Sequence, residues 1–378
     1  MNWRVWENPW RLMPVVNVAV VIGVLLHKIT LPPFVPYIHL LVDYHFGLTK
    51  RALIGALVAL FTAKVPVWLV FALGGAVWLI TLGLFVALFR RTFGFDEKHL
   101  PLLIFTAGSP FFLKNFMHTL GHFDIYGCAL AITLLLIPAR SIAYVLLAAL
   151  FSILLILIHH IHLLMYVPTI ATIVLLRYYL VPALTRSNLV IGIAAALTIG
   201  LLFLAAQFFG TVEVPPAEFV THLQNRVADP SSEDLLRNVH AFAYIWYQPL
   251  SHEIRDTWDR MPSNLLGVPV FALLIWLHKP LWRYFADLIR ALSSEINRRI
   301  VIAAIILVSA AYLIMFAMVF DYSLWISNWA VCLFLILHAV KTLPAAKDMS
   351  LIPADDRSTT IFGWIVTVIP RVGIARPF

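Results

Sequence analysis

The segment 43–51, DYHFGLTKR, contains four side chains of the types that carry out acid–base and phosphate chemistry. Asp43 or His45 can take a proton from a hydroxyl group, because carboxylates and imidazoles are the usual general bases. Lys50 and Arg51 form a basic pair that suits a phosphate or pyrophosphate group. The alternative for this pair is simple contact with lipid headgroups through long, flexible side chains.

A second group of polar residues lies at 114–124, KNFMHTLGHFD. His118 and His122 are four positions apart, so a helix would place them on one face. Together with Asp124 they could bind a divalent metal, act as acid and base, or hydrogen bond to a sugar hydroxyl. Spacing alone is a weak metal motif, and we expect no cofactor.

Two further groups complete the set of candidate residues. His159, His160 and His162 fall within four positions, and histidine is the side chain best suited to move a proton near neutral pH. Asp321 and Trp325 follow a long apolar run. The acid could pair with the basic pair of the first group. The indole suits either a membrane interface or the face of a sugar ring.

The composition determines which elements must position these groups. Of the 378 residues, 62% are hydrophobic and 12% are charged, and the mean hydropathy is +0.91. A soluble domain cannot bury that much apolar surface. The apolar runs are continuous and do not alternate with period two, which favours helices over a membrane β-barrel. The fold class is therefore an all-α, polytopic transmembrane helix bundle.

About ten spans are predicted, although several of the apolar runs are shorter than the ~20 residues that a perpendicular crossing needs. The predicted spans are 13–30, 66–89, 101–114, 125–138, 142–158, 163–181, 189–209, 265–278, 300–320 and 330–341. The run 52–63 is too short to cross beside its neighbour and is expected to be a half-helix or an interfacial helix.

The distribution of lysine and arginine sets the orientation. Two thirds of the 27 basic residues fall in loops on the N-terminal side, which makes that side cytoplasmic. The net charge of +8 is thus a topology signal, and nucleic acid is not expected as a partner. We expect one integral-membrane domain over 1–378, with outer segments 31–65 and 210–264, a cytoplasmic amphipathic helix at 281–299 lying on the anionic leaflet, and a cytoplasmic tail at 342–378.

By this topology all four groups lie on the outer side, and the layout resembles polytopic glycosyltransferases of the GT-C type and O-antigen or exopolysaccharide polymerases. Asp43 stands where those families have a first-loop acid, Lys50 and Arg51 match a phosphate-holding role, and 210–264 resembles a large outer loop. The paired acids common in that first loop are absent, since position 45 is His45. The resemblance implies a lipid-linked sugar donor, and the departure puts metal-assisted transfer in doubt.

The leading hypothesis is glycosyl transfer or polysaccharide polymerisation from a polyprenyl-linked donor to a glycan acceptor, on the outer face of a bacterial cytoplasmic membrane. Membrane lipids and cell-envelope assembly proteins are the other expected partners. The residues expected to take part in catalysis are Asp43, His122, Asp124, His159 and His160. The residues expected to bind substrate are His45, Lys50, Arg51, His118, His162, Asp321 and Trp325.

Three other functions remain open at this stage. A transporter or flippase for a lipid-linked glycan would need ionisable groups near the membrane midplane. A membrane acyltransferase would use a histidine as its base, although its usual thioester donors are cytoplasmic. A non-catalytic assembly subunit would need none of the four groups.

Overall fold

The computed structural model describes residues 8–31, 33–180, 186–229, 233–248, 250–319, 321–343, 352 and 356–372. Within these residues every named element is a helix, which confirms the all-α fold class. The first helices are α1 (Pro9–Ile29), α2 (Phe34–Leu41), α3 (Leu53–Ala59), α4 (Trp68–Thr92), α5 (Leu100–Thr106), α6 (Leu113–His118), α7 (Asp124–Leu136), α8 (Ile142–Ile158), α9 (His162–Met165) and α10 (Val167–Val174). The later ones are α11 (Arg186–Phe209), α12 (Pro216–Asn225), α13 (Glu233–Ala243), α14 (Leu250–Leu265), α15 (Val268–Leu277), α16 (Lys279–Arg290), α17 (Glu295–Met318), α18 (Tyr322–Lys341) and α19 (Arg357–Val368).

Six helices in the described part of the chain are long and apolar enough to cross a membrane, as in a multi-pass membrane protein. They are Pro9–Ile29, Trp68–Thr92, His162–Tyr179, Ser187–Phe209, Glu295–Met318 and Tyr322–Lys341. A seventh crossing results if Ile254–Ser263 and Val268–Leu277, which meet at 78°, form one bent span. The number of about ten spans is therefore not confirmed, because several predicted spans form shorter helices such as α7 and α8.

Helix α18 is the centre of the bundle, and α11 lies at its edge. In an apolar 18-residue stretch of α18, 83% is buried inside the protein. In the corresponding stretch of α11, only 11% is buried. α18 packs against α7, α10, α16 and α17, and Tyr166 donates to Asn328 Oδ1 of α18 at 2.7 Å. The run predicted as a span from 330 begins eight residues earlier, at Tyr322. Since burial is this uneven, α11 is the helix with most surface left for lipid.

Helices α5 and α6 occupy the predicted span 101–114 but are separated by a break. Pro110 lies in this break and cannot donate a backbone hydrogen bond, so a continuous helix is disfavoured there. The Asn17 amide donates to the Gly108 carbonyl at 2.8 Å, and Ser109 Oγ lies 2.8 Å from His278 Nε2. Side chains of other helices thus satisfy polar groups that the break exposes inside the bundle.

The sequence predicts a cytoplasmic tail over 342–378, but the described part of this segment enters the bundle. Helix α19 packs along α1 and α5. The ammonium group of Lys114 on α6, which is fully buried, donates to the carbonyls of Val366 and Thr367 at 2.8 and 3.0 Å. These carbonyls belong to the last turn of α19, so a buried cation stabilises the end of that helix. Lys114 is therefore an internal residue and not an outer-loop cation.

The amphipathic helix predicted over 281–299 is interrupted and faces the protein. Helix α16 ends at Arg290, and α17 begins at Glu295 with Ser294 as its N-cap. The apolar face of α16 is buried and packs on α17 and α18. The apolar face of α16 thus belongs to the bundle core, and the placement of this helix at an anionic leaflet stays a prediction.

The two predicted outer segments fold together into a helical cap. The first contains α2 and the short α3, and the second contains α12, α13 and α14. A shared apolar cluster joins α2 and α3 to α12 and α13. One isolated parallel bridge, between Val65 and Val227, links the end of the first segment to the chain just after α12 in the second. This cap places the first outer segment over one end of the bundle.

Candidate functional site

Arg51 has an unusual backbone conformation at the centre of the candidate site. Its φ angle is 61°, in the left-handed region that residues other than glycine rarely adopt. Such a conformation costs on the order of 1–3 kcal/mol and persists only where surrounding structure holds it. The neighbouring Lys50 provides that support: its N–H donates to the Gly210 carbonyl at 3.0 Å, and Trp246 Nε1 donates to its carbonyl at 2.8 Å.

Four histidines from two parts of the chain form an imidazole cluster, His39, His159, His160 and His162. The rings of His39 on α2 and His159 after α8 have centroids 6.3 Å apart. His159 in turn lies 5.3 Å from His160 and 6.2 Å from His162. Arg51 is within electrostatic reach of His39, His159 and His160. The structure therefore brings Arg51, from the first group of candidate residues, close to the histidines at 159–162, which form the third group.

The imidazole cluster is neutral at physiological pH. Burial lowers the pKa of His39, His159 and His160 well below the ordinary value, and the positive charge of Arg51 lowers it further. Neither ring nitrogen of His39, nor Nδ1 of His160, makes a hydrogen bond within the described part of the chain. Neutral imidazoles can both donate and accept, so the cluster can bind a hydroxyl or phosphate oxygen beside Arg51.

Two carboxylates complete this side of the site. Asp124 begins α7 and is only 5% exposed, and burial raises the pKa of its carboxyl group to about 7. Its Oδ2 atom makes no hydrogen bond to any described residue. Arg51 and Asp321 are both within electrostatic reach of Asp124. Asp321 accepts from the Leu324 N–H at 3.4 Å and therefore caps α18.

Trp325 lies in the first turn of α18, and its surroundings differ from both expectations for it. The side chain is only 4% exposed, so it is neither an interface anchor nor an open stacking platform in this conformation. Its Nε1–H group is buried and makes no hydrogen bond within the described residues.

Asp43 lies in a separate ion-pair network. Its Oδ2 accepts from Arg226 at 2.9 Å, and its Oδ1 lies 3.1 Å from His222 Nε2, both on the second outer segment. Burial disfavours the ionised carboxylate. Hydrogen bonds from His222 and from the His45 backbone, with the charge of Arg226, outweigh burial and lower the pKa of Asp43 below its ordinary value. A carboxylate with these partners is a weak base.

His45 itself extends away from Asp43 to the surface. Its ring stacks on His222 with centroids 4.5 Å apart and an interplanar angle of 13°. Both rings line a shallow surface groove, together with Glu218 and Asn225. His45 therefore belongs to the cap network and makes no described ring contact with the imidazole cluster.

The second predicted group, at 114–124, is divided by the fold. Helix α6 ends at His118, and Gly121 then turns the chain with a φ of 90°, so His118 and His122 do not share a helical face. The Arg371 guanidinium donates to His118 Nε2 at 2.8 Å. Because the predicted topology places Arg371 inside and His118 outside, this contact contradicts one of those two placements.

His122 connects this group to the imidazole cluster. Burial lowers the pKa of His122 to about 3, and the charges of Lys28 and His118 contribute. His122 is also within electrostatic reach of His39. Among the described residues, no group of three or more His, Cys, Asp or Glu side chains is arranged to hold a metal ion.

An apolar groove begins beside the imidazole cluster. It has a volume of about 620 Å³ and runs between α8, α10 and α11. Leu163, which directly follows His162, lines the groove, and the ring of His160 lies 6.4 Å from Phe203 on α11. Neutral imidazoles thus lie beside a groove whose walls are hydrocarbon, and Arg51 is within electrostatic reach of these imidazoles.

Sequence reasoning missed several of these residues. His39 is not among the residues that the sequence suggested, although it precedes Asp43 by four positions and joins the cluster. Nothing in the sequence marks Arg226 or His222 as partners of Asp43, because they are about 180 residues away. Trp246, which holds the Lys50 backbone, has the same long separation.

Comparison with protein-family models, with curated proteins and with solved structures gave no match.

Proposed function

We propose that the protein transfers a sugar from a polyprenyl-phosphate or polyprenyl-pyrophosphate donor to a glycan acceptor, at the outer face of a bacterial cytoplasmic membrane. The observation that carries this proposal is the position of Arg51 near neutral imidazoles, beside which an apolar groove begins. A ligand that matches this arrangement has a phosphate next to a long hydrocarbon chain. Polyprenyl-linked sugars have this composition, whereas water-soluble nucleotide sugars do not.

The polar cluster supports the chemistry of glycosyl transfer. The acceptor hydroxyl attacks the anomeric carbon of the donor, and the bond between that carbon and the phosphate oxygen breaks. The phosphate leaves with the bonding electron pair, and Arg51, with Lys50 beside it, stabilises the charge that develops there. Neutral His159 and His160 donate hydrogen bonds to the phosphate or to sugar hydroxyls without adding charge.

In this proposal Asp124 accepts the proton of the acceptor hydroxyl. Its buried Oδ2 makes no hydrogen bond to the described residues, and Arg51 is within electrostatic reach. Asp43, the first-loop acid, is a positioning residue instead, since Arg226 and His222 occupy its two oxygens. It holds the cap in place over the imidazole cluster.

The test uses purified full-length protein in liposomes with radiolabelled polyprenyl-phosphate sugars and extracted cell-envelope glycan as acceptor. Arg51→Gln should lower transfer by roughly 100-fold or more, as does loss of a preorganised oxyanion donor. Asp124→Asn should lower it by roughly 100- to 10,000-fold, as expected for loss of a general base. Lys64→Gln, at an exposed outer-segment cation, is the matched control.

Transfer at the wild-type rate in both site variants would contradict the proposed site. Loss of transfer in Lys64→Gln as well would show that general charge in the outer segments, and not Arg51, controls activity. Melting temperatures measured in detergent separate a catalytic defect from unfolding in each variant.

Transport of a lipid-linked glycan is a second candidate, favoured by the break between α5 and α6. Broken helices with ionisable groups near the membrane midplane are typical of transporters. Buried Lys114 and His278 both lie near this break. Their described hydrogen bonds are to protein groups, which favours a structural role. Flux of a fluorescent polyprenyl-linked glycan across proteoliposomes, with no product formed, would support transport.

A further inference from the structure

A second cavity lies far along the chain from the imidazole cluster, between α15, α16 and the start of α19. Its volume is about 640 Å³, and its walls include Trp276, Phe362 and Ile352. Trp276 is 51% exposed, so the cavity opens at the apolar outer surface of the bundle. Its residues belong to none of the four groups that the sequence suggested, and the proposed glycosyl transfer does not use them.

Two cations line this cavity on one face of α16. Lys279 and Arg283 are four positions apart, which places both side chains on the same side of the helix. Neither forms an ion pair within the described residues. The two acids that line the cavity are already engaged: Asp287 accepts from Arg290 at 2.6 Å, and Asp356 caps α19.

The hydroxyl group of Tyr284 provides an independent indication of a ligand. Tyr284 directly follows Arg283 in the sequence, lines the cavity and is only 4% exposed. Its OH group is buried and makes no hydrogen bond to any described residue. Leaving a buried donor without a partner costs on the order of 1–3 kcal/mol, so this hydroxyl is available to donate to a bound molecule.

We infer that this cavity binds the phosphate group of an amphiphile. Lys279 and Arg283 neutralise the phosphate, and the Tyr284 hydroxyl donates to one of its oxygens. The apolar wall formed by Trp276 and Phe362 contacts the adjoining hydrocarbon chain. A membrane phospholipid and free inorganic phosphate share this headgroup chemistry, but only the phospholipid also uses the apolar wall.

Native mass spectrometry of the delipidated full-length protein tests this inference. The probes are dioleoyl phosphatidylglycerol, dioleoylglycerol with the same chains but no phosphate, and inorganic phosphate. Phosphatidylglycerol should be retained and dioleoylglycerol should not. Retention should fall roughly tenfold in the K279Q/R283Q double variant, because two charge-assisted hydrogen bonds are lost. Tyr284→Phe, which removes only the hydroxyl group, should cause a smaller loss.

Arg299→Gln is the matched control, since Arg299 is an exposed cation on the neighbouring helix α17 and neither lines the cavity nor pairs with a residue that lines it. It should retain phosphatidylglycerol as the wild type does. If inorganic phosphate binds in place of phosphatidylglycerol, the ligand is free phosphate and not a phospholipid. Equal retention of phosphatidylglycerol and dioleoylglycerol, or unchanged retention in the double variant, would overturn the inference. If the double variant fails to fold, Tyr284→Phe provides the test. Retention of phosphatidylglycerol in Tyr284→Phe equal to that of the wild type would then overturn the inference.

Discussion

The Arg226 guanidinium donates to Asp43 Oδ2 at 2.9 Å and joins the two outer segments of the chain. The same guanidinium donates to the carbonyls of Leu41 and Gly55, the latter at 3.3 Å. Arg226 is only 6% exposed. One buried cation therefore satisfies a carboxylate and two backbone carbonyls of the first outer segment. The packing of the cap depends on this cation.

Replacing Arg226 by Met should destabilise the protein by about 3 kcal/mol, because removal of one partner leaves a largely buried charge uncompensated. The measurement is the melting temperature in detergent. The surface pair of Arg237 with Asp234, at 3.6 Å and largely exposed, provides the control. Arg237→Met should change stability by no more than about 0.5 kcal/mol. Equal effects of the two substitutions would show that the buried pair does not hold the cap.

Acidification should destabilise the protein through the buried histidines. The pKa values of His39, His159 and His160 are lowered in the folded state, so only the unfolded chain gains protons just below the ordinary value of 6.5. The stabilisation is complete above 6.5 and declines as the pH falls through this value. Each histidine should cost at most about 1.4 kcal/mol per pH unit in this range.

Melting temperatures measured from about pH 7.5 down to about pH 5.5 test this slope. His160→Asn should reduce the slope by removing one titrating group from the cluster. His240→Asn, at an exposed position of α13, should leave it unchanged. A wild-type protein whose melting temperature is constant over this range would contradict the neutral, buried cluster.

Filling the apolar groove should weaken binding of long-chain donors. Gly200 of α11 lines the groove, and an added Cβ atom there would meet nothing within 4 Å. Gly200→Leu should therefore fold and raise the KM for a long polyprenyl donor by roughly tenfold, while a short-chain donor is affected less. Gly83→Leu on α4, where a Cβ atom also meets nothing within 4 Å, is the control. Equal effects on the KM of long-chain and short-chain donors would show that the lipid chain of the donor does not lie in this groove.

The contact between Arg371 and His118 predicts on which side of the membrane the chain near position 371 lies. Cysteines introduced at Lys28 and Arg371 should react with a membrane-impermeant maleimide from the same side. A cysteine at Arg90, in the last turn of α4, should react only from the opposite side of the membrane. The native Cys128 and Cys332 are both buried and should contribute little background. Labelling of position 371 together with position 90 would contradict the contact.

The all-helical fold could be predicted from the sequence because hydropathy is a local property. A long apolar segment in lipid must satisfy its own backbone groups, so its residues alone determine that it is helical. The run 52–63 was predicted to be a half-helix or an interfacial helix because it is too short to cross, and the structure has the short helix α3 within it. The number of crossings was less predictable, because helices such as α7 and α8 are short and depend on their neighbours.

The candidate site shows the limit of the same reasoning. The sequence marked Arg51, Asp124 and the histidines at 159–162 by residue type, because charged and titratable groups are costly beside a membrane. It could not mark Arg226 as the partner of Asp43, which is a contact between distant segments.

What the sequence by itself determined is the class of the protein, a multi-helix membrane bundle, and the set of polar side chains available for chemistry. Only the tertiary structure decided which of them meet: Asp43 with Arg226, Arg51 with the imidazole cluster, and Lys114 with the end of α19. The physical reason is that helix formation depends on contacts within a few residues, whereas a site depends on packing between helices that lie far apart in the chain.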